Sequence, residues 1–546
     1  MGNTAIKKDF VDSFSYPSKN PRPLGKEPLS VPRDPLITDF SAFAGRPFKP
    51  SSFKYALYLT AFDVRDYGAD IKKFIKIFSP LSLSRVYLET YRDGYRADKS
   101  VLTSAQKALE KSGISVFGGI TTTHFSDKCG FNSWYSASSC YTEAAARKKL
   151  RDEFSFCAGL FDNIIIDDWF FTVCECPECV KAKKKKTWAE YRGKLMADVS
   201  KKYAIEPAKK TNKKVKLILK LPHWYEKFYS SGYDLEKLIP LYDEIAVGTE
   251  TRDPATTRFM PVHGALLFNY IARLAPGKVK KAWFDIYNCN KEIYTEQAYQ
   301  SVLGGAEELI LFCGGILPQP LMRPLVEEMI AATPKIDRLS GFKGLFKAPI
   351  IRETNAEDTV KLEQYFLMAG IPAYITPETG LKEKFVVLTG QSCGPKQCAQ
   401  LFNGMLKAGK DMLLTAEFAS MAGRAFNVRK MPQQVKIETI KYNSREENVD
   451  SRAYVGYDIR DGREICLSNG AYPLLSYFKI KNSSIWVMDV PDVKSEITTH
   501  DGGRINEGLR FLLRSRGFVE AIKAPFSGYV NVNLYDRVKT MYKHKL

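Results

Sequence analysis

The sequence predicts an α/β protein whose larger part is a (β/α)8 TIM barrel, and three observations carry that prediction. Short runs rich in β-branched and aromatic residues alternate with helix-like segments from about residue 54 to residue 315. About eight such units fall within roughly 260 residues, the usual size of this barrel. The third observation is a missing motif. An open doubly wound sheet wants a glycine-rich phosphate turn after its first strand. Here that strand runs out through Thr60-Ala61-Phe62-Asp63-Val64-Arg65, with no glycine.

Taken in order, the strands are expected at 55–63, 85–90, 115–121, 163–169, 215–221, 244–250, 282–287 and 309–313. Helices are expected between them at 69–78, 100–112, 142–158, 187–203, 235–242, 257–274 and 295–306. The barrel domain is assigned to 54–340. Residues 1–53, rich in Pro, Lys and Ser, read as an extended lead-in. A further block over 341–515 has strand-like runs at 371–375 and 385–389, a helix around 395–408 and the apolar run Met412-Leu413-Leu414. Residues 516–546 read as a short β-rich tail or small β element.

Composition narrows the function classes. A chain of 546 residues is too long for one core, and 45% hydrophobic with 12% aromatic residues argues against disorder. No window approaches the roughly 18 to 20 apolar residues of a membrane span, so none is expected. The formal charge of +20 would attract a polyanion, yet 61 acidic residues are scattered among the 81 basic ones. No helix-turn-helix, zinc-finger or RNP-type pattern appears, so nucleic acid is not an expected partner. An acidic glycan stays open, as does a solvated Lys-rich surface, the plainer reading of the basic run 181–186. Met1-Gly2-Asn3-Thr4 opens no signal peptide, and Ile6 defeats a myristoylation motif. The opening reads as a mature terminus with any leader removed, which puts the periplasm or cell surface ahead of the cytoplasm.

A barrel reacts at the C-terminal ends of its strands. Those ends carry Asp63; Glu89 and Arg92; Thr121-Thr122-Thr123-His124; Asp167-Asp168-Trp169; Lys220 with Pro222-His223-Trp224; Thr249-Glu250-Thr251-Arg252-Asp253; and Trp283-Phe284-Asp285-Ile286-Tyr287. Acids, aromatics and a few cations on one rim suit sugars. Aromatic faces pack on pyranose C–H faces, polar groups bond hydroxyls, and two carboxylates do the proton transfer and displacement. The expected activity is therefore hydrolysis of a glycosidic bond in an oligo- or polysaccharide. The rival readings are an inactive carbohydrate-binding scaffold, or a lyase or transglycosidase.

Asp167 and Asp168 leave a buried strand on opposite sides. Asp168 is assigned the catalytic role and Asp167 an orienting one, the reverse remaining open. Glu250 is the first choice of partner, because its segment turns wholly polar after an apolar run. Asp285 is the second. Glu89, Arg92, Trp169, Lys220, His223, Trp224, Arg252, Trp283 and Tyr287 are candidate substrate-binding residues, with Trp283 and Tyr287 as a sugar platform. Several of these acids are equally readable as helix caps or as partners of Arg92 and Arg252.

Cys174, Cys176 and Cys179, three cysteines within six residues, resemble half of a structural zinc site. Cys129, Cys140 or His124 would complete it. Reduced thiols or a disulfide bracing the loop are the alternatives. No HExxH motif occurs, there are five histidines in all, and catalysis is expected to need no cofactor.

The stretch Ile164-Ile165-Ile166-Asp167-Asp168-Trp169-Phe170-Phe171, with Cys174, Cys176 and Cys179 after it, resembles a barrel loop of bacterial glycosyl hydrolases. Those proteins are loosely related to the beta-galactosidases of glycoside hydrolase family 42. The resemblance extends to the next block, through Phe385, the helix around 395–408 and Gly409-Lys410-Asp411-Met412-Leu413-Leu414-Thr415. It implies a flavodoxin/amidotransferase-like α/β domain after the barrel, of the kind that builds a homo-oligomer. That group carries its acid/base as the Glu of an Asn-Glu pair after the fourth strand and its nucleophile as a Glu after the seventh. Here those places hold Asp167-Asp168 and Asp285. The Asp168–Glu250 pairing is more similar to the alpha-galactosidase clan, with an Asp nucleophile on the fourth strand and an acid on the sixth. Cys393 stands where an amidotransferase keeps its nucleophile, but no later histidine lies in a recognisable context, so a non-catalytic domain is expected.

Overall fold

A computed structural model describes residues 52–126, 138–252, 260–356, 362–449, 456–489 and 513–543. The chain divides into two compact units, Met1–Gly341 and Phe342–Leu546. Among the described residues no helix is long and apolar enough to cross a membrane.

The first unit is built on β1 (Lys54–Leu59), β2 (Arg85–Arg92), the two-residue β3 (Tyr95–Arg96), β4 (Ser115–Ile120), β5 (Asn163–Ile166), β6 (Lys216–Leu221), β7 (Glu244–Gly248), β8 (Val279–Phe284) and β9 (Glu308–Leu311). Apart from β3, which turns back antiparallel on β2, these strands pair in parallel with their neighbours. The sheet closes on itself where β1 pairs with both β2 and β9. The TIM barrel expected from the alternation is the fold observed.

Alternate residues of each strand fill the barrel, as a period of two requires. Ala56 and Tyr58, Tyr87, Ile165, Ile218, Ala246, Trp283 and Ile310 pack there as one cluster. The large rings are accommodated by small neighbours. A Cβ on Gly119 would stand 2.6 Å from the Tyr58 hydroxyl, and one on Gly118 would stand 2.6 Å from Cys157 on the helix outside.

Element ends are where the strand expectations shift. The first strand, expected to reach residue 63, stops at Leu59, because Thr60 caps the helix Ala61–Tyr67. The Thr60 side chain accepts from Asp63 N, and Asp63 in turn accepts from Thr60 N at 2.9 Å. This reciprocal capping box takes Asp63 off the strand end. The helix expected from residue 257 is His263–Leu274; residues 253–259 lie outside the described residues. So do residues 1–51 of the expected lead-in.

The second unit contains β10 (Ala348–Ile351), β11 (Ala373–Thr376), β12 (Phe385–Leu388), β13 (Asp411–Thr415), β14 (Asn427–Lys430), β15 (Thr439–Tyr442), β16 (Arg445–Asn448), β17 (Tyr457–Arg460), β18 (Arg463–Ser468), β19 (Tyr472–Ile480) and β20 (Ser483–Met488). Its main sheet runs β11-β10-β12-β13-β20-β19-β18-β15-β16. The first five strands are parallel and follow the 2-1-3-4-5 order of flavodoxin-like sheets. The last four are antiparallel.

The expected β-rich tail at 516–546 is corrected. Arg516–Lys523 and Leu534–Lys543 are helices. Ser515 caps the first through Phe518 N, and Phe518, Ala521 and Ile522 form its buried face at helical spacing. Val530 and Val532 lie in the connection between the two helices.

Candidate active site

The carboxyl ends of β2, β4, β5, β6, β7 and β8 bring the site together, and each acid is held by named partners. Asp167 follows β5, its backbone N–H donating to Ile120 O at 3.0 Å. Its carboxylate accepts from Arg92 Nη2 at 2.8 Å, Thr121 Oγ1 at 3.1 Å and Asp168 N at 2.8 Å, with Lys220 Nζ at 3.3 Å. Asp168 Oδ2 accepts from the same Lys220 Nζ at 2.8 Å. The two aspartates were expected to point apart. β5 ends at Ile166, so the pleat no longer governs them, and both reach one ammonium.

Glu250 follows β7 and completes the cluster. Its Oε1 lies 2.8 Å from Lys220 Nζ, and its Oε2 lies 3.3 Å from His223 Nδ1. The glutamate folds back over Gly248, where a Cβ would collide with Oε2; the glycine at the end of β7 is required for this placement. The carbonyl of His223 accepts from His263 Nε2 at 2.5 Å, which fixes the loop that carries the imidazole.

The protonation states follow from these partners. Burial would raise the Asp167 carboxyl, but Lys220 and Arg92 outweigh it and hold the group well below the usual carboxylate range. Burial pushes Asp168 up to about 7, the Lys220 charge opposing this and the Asp167 and Glu250 charges adding to it. Glu250, although buried, is drawn down to about 2 by Lys220 and His223. Burial lowers the proton affinity of His223, against the raising effect of Glu250.

The remaining expected residues divide between the rim and the core. Glu89 is fully buried and closed to a sugar hydroxyl. It accepts from Tyr58 Oη at 2.6 Å, Ala61 N at 2.8 Å, Arg92 at 2.9 and 3.0 Å, and Thr121. Arg92 thus bridges Glu89 and Asp167 and fixes the latter in place. Asp285 follows β8 with both oxygens on Arg252, at 3.1 and 2.6 Å, and Arg252 lies over the half-buried Tyr287 ring.

Trp283 is 1% exposed inside the barrel, so the expected Trp283–Tyr287 platform is not formed. Its indole instead lies 4.4 Å beneath Lys220 Nζ. Trp224 is buried among Phe171, Phe228 and Tyr233. Trp169 is half-buried and stacks on Phe171.

Two contributors, Tyr58 and Tyr233, were not anticipated from sequence, and Thr121 was named only as a strand-end residue. Tyr58 and Thr121 hold Glu89, and Tyr233 donates to the Asp168 carbonyl at 2.7 Å. Tyr58 shares the inward parity of Ala56 on β1, a signal the alternation offered. Tyr233 sits in the loop after β6 and gave none.

On the same loop as the aspartates, Cys174, Cys176 and Cys179 meet Cys140, with all four sulfurs within 4.8 Å of one another. Of the three expected fourth ligands, Cys140 is the one placed there. His124 instead faces Asp93 at 3.8 Å, and Cys129 lies outside the described residues.

The comparisons with known proteins agree with this architecture. The family described as "Probable glycosyl hydrolase, catalytic domain" matches residues 46–328. An uncharacterized protein of Saccharolobus solfataricus is 30% identical over 316 residues, 52% of this chain and 52% of that protein. The chain therefore spans about half the length of the curated relative it matches. Among solved structures, alpha-L-fucosidase isoenzyme 2 from Paenibacillus thiaminolyticus superposes with a TM-score of 0.58 at 11% identity, over 87% of this chain and 84% of that one. The exo-beta-1,4-mannosidase Op5Man5 from Opitutaceae bacterium strain TAV5 gives 0.56 at 10%, over 82% and 94%. Gan42B, a family 42 beta-galactosidase from G. stearothermophilus, gives 0.56 at 8%, over 80% and 85%. At such identities these structures speak for the fold. The sequence match extends over more than half of the chain, which accordingly belongs to the family of probable glycosyl hydrolase catalytic domains.

Proposed function

We propose that the barrel hydrolyses glycosidic bonds with retention of configuration, Asp168 acting as acid/base and Glu250 as nucleophile. The observation that carries this reading is the shared ammonium. Asp168 Oδ2 and Glu250 Oε1 each lie 2.8 Å from Lys220 Nζ, so these oxygens are at most about 5.6 Å apart. That bound sits with the roughly 5 to 5.5 Å of retaining enzymes and below the roughly 6.5 to 9.5 Å of inverting ones.

The two carboxyls also have their proton affinities pushed apart, as an acid and a nucleophile need. Protonated Asp168 gives its proton to the leaving-group oxygen while ionised Glu250 bonds to the anomeric carbon and the glycosidic bond breaks. Asp168, now a carboxylate, takes a proton from the incoming water, whose oxygen displaces Glu250. Of the two candidate aspartates, Asp168 is the better placed to meet substrate. Its side chain is 18% exposed, against 5% for Asp167, whose carboxylate is occupied by Arg92, Thr121 and Lys220. These states favour Asp168 as acid and Glu250 as nucleophile, the reverse of the alpha-galactosidase-like scheme.

The solved structures that superpose act on different sugars by their names, so the substrate class proposed is a glycan without a specified sugar. A neutral glycan is favoured over an acidic one, because Lys220, Arg92 and Arg252 are each engaged by protein carboxylates. Asp168→Asn and Glu250→Gln, assayed on a panel of neutral and uronate aryl glycosides, test the reading. Each should lower turnover by roughly 10²-fold to 10⁴-fold or more with folding kept. Only few-fold losses at both positions would reject the pair.

We further propose that Cys140, Cys174, Cys176 and Cys179 hold a structural zinc ion. Tetrahedral coordination at about 2.3 Å places sulfurs roughly 3.8 Å apart. Cys140 lies 3.7 Å from Cys176 and 3.5 Å from Cys179, so the set fits. Four thiolates leave no open position, and the ion would brace the loop that carries the aspartates. Elemental analysis should return one equivalent.

A further inference from the structure

We propose that Lys220 is the positioning residue of this site: its ammonium pins Asp168 and Glu250 to a common point and sets the pH range in which the pair works. The inference rests on the acid–nucleophile reading of that pair and deepens it. Sequence reasoning placed Lys220 among the substrate-binding residues, and the geometry assigns it otherwise. An ammonium has three N–H donors and no acceptor. Here three carboxylates surround it, Asp168 and Glu250 at 2.8 Å and Asp167 at 3.3 Å. The side chain is 3% exposed, and Nζ rests over the Trp283 face at 4.4 Å, a contact that favours the cation. No donor direction is left for a sugar hydroxyl.

The two acids face different sets of polar and charged groups. Glu250 meets Lys220 from β6 and His223 from the loop after it, with Arg252 at longer range. Asp168 meets Lys220, Asp167, Glu250 and Tyr233. Arg92 faces Asp167 and Glu89 from β2. Among the described residues, Lys220 is therefore the cation in direct contact with both reacting carboxyls. Without it, burial and mutual repulsion act on them with less opposition, and both hold their protons to higher pH. The acid limb of the rate profile, set by Glu250, and the alkaline limb, set by Asp168, should move in the same direction.

The test compares wild type with Lys220→Met and Lys220→Gln in the full chain, using an aryl glycoside that the wild type cleaves. Melting temperatures check folding. In both variants kcat/KM at the wild-type optimum should fall about 10²-fold or more, and both limbs should move up by at least about one pH unit. Gln retains a hydrogen-bond donor without charge, so it should not restore the profile. Reduced amplitude with unmoved limbs, or restoration by Gln, overturns the proposal, since a merely structural role lowers the rate without moving the profile. If neither variant folds, Lys220→Met combined with Asp167→Asn, which removes one of the buried acids together with the lysine, is judged on the acid limb set by Glu250, because loss of the Asp167 charge itself lowers Asp168. Carboxyl 13C titration of Asp168 and Glu250 separates this inference from the one beneath it. If the carboxyls shift in the variant while the amide substitutions leave activity intact, Lys220 keeps its role and the catalytic assignment falls. If the carboxyls do not shift, Lys220 loses its role whatever the reaction.

Discussion

Asp167 and Asp168 differ in what faces them more than in how deeply they lie. Asp167 has a guanidinium, an ammonium, a hydroxyl and a backbone N–H. Asp168 shares that ammonium but faces two other carboxylates, and burial, reinforced by their charges, keeps its proton up to about 7. Linkage turns this into a statement about stability. A carboxyl whose folded-state affinity for the proton is raised contributes stability below its unfolded pKa, near 4, and loses it as the pH rises through about 7. Glu250, held down to about 2, behaves oppositely: its contribution is present above its unfolded pKa and is lost as acid approaches 2. Asp168→Asn should therefore gain melting temperature relative to wild type as the pH rises from 4 to 8, by a few degrees at pH 8, while its turnover falls. Calorimetry at the two pH values checks this, and a difference that stays constant across the range would mean that Asp168 ionises normally.

Elements position these residues through close approaches that single atoms decide. On β4, Gly119 makes room for the Tyr58 ring, whose hydroxyl donates to Glu89, which in turn braces Arg92 against Asp167. Gly119→Ala would place a methyl 2.6 Å from the Tyr58 oxygen and 2.9 Å from its ring. Overpacking of this kind costs about 1 to 3 kcal/mol, so a lower melting temperature together with reduced kcat is expected; an unchanged kcat would detach this chain of contacts from the site. The same scale shows what could be read in advance. Runs such as Ile164-Ile165-Ile166 and Leu217-Ile218-Leu219 announce buried parallel strands, and the order of their ends placed Asp168, Lys220 and Glu250 on one rim. What periodicity could not report was which partner each side chain would take. Whether Arg252 meets Glu250, two residues away, or Asp285, just after the next strand, depends on strand spacing. Thr60 reads equally as a strand residue or a cap until Asp63 is seen to bond it. Trp283 reads as a rim aromatic until β8, which begins at Val279, fixes the parity that turns its ring inward. Spacing alone could not choose among Cys129, Cys140 and His124 as the fourth member of the cysteine cluster, because the choice depends on which loop folds back onto the triplet.

At the scale of the whole chain, the +20 charge and the chemistry of the site separate. Among the described residues, the cations that reach the site, Arg92, Lys220 and Arg252, are each engaged by carboxylates. The cysteines also divide between the two units. The proposed zinc ligands and Cys157, buried on the helix Ala144–Ala158, belong to the barrel unit, whereas Cys466, buried on β18, belongs to the second. Buried thiols react only when their surroundings open, so their labelling rates report local stability. A structural zinc contributes its binding free energy to the fold that makes the site. Removing it with a strong chelator should therefore speed labelling of Cys157 at least about tenfold, equivalent to about 1.4 kcal/mol, while Cys466 changes by less than about twofold. Mass spectrometry of the two peptides reads both rates in one sample. Equal acceleration of both would point to global unfolding rather than loss of a local brace, and no acceleration of Cys157, with zinc shown to be removed, would leave the cysteines as a packed thiol cluster.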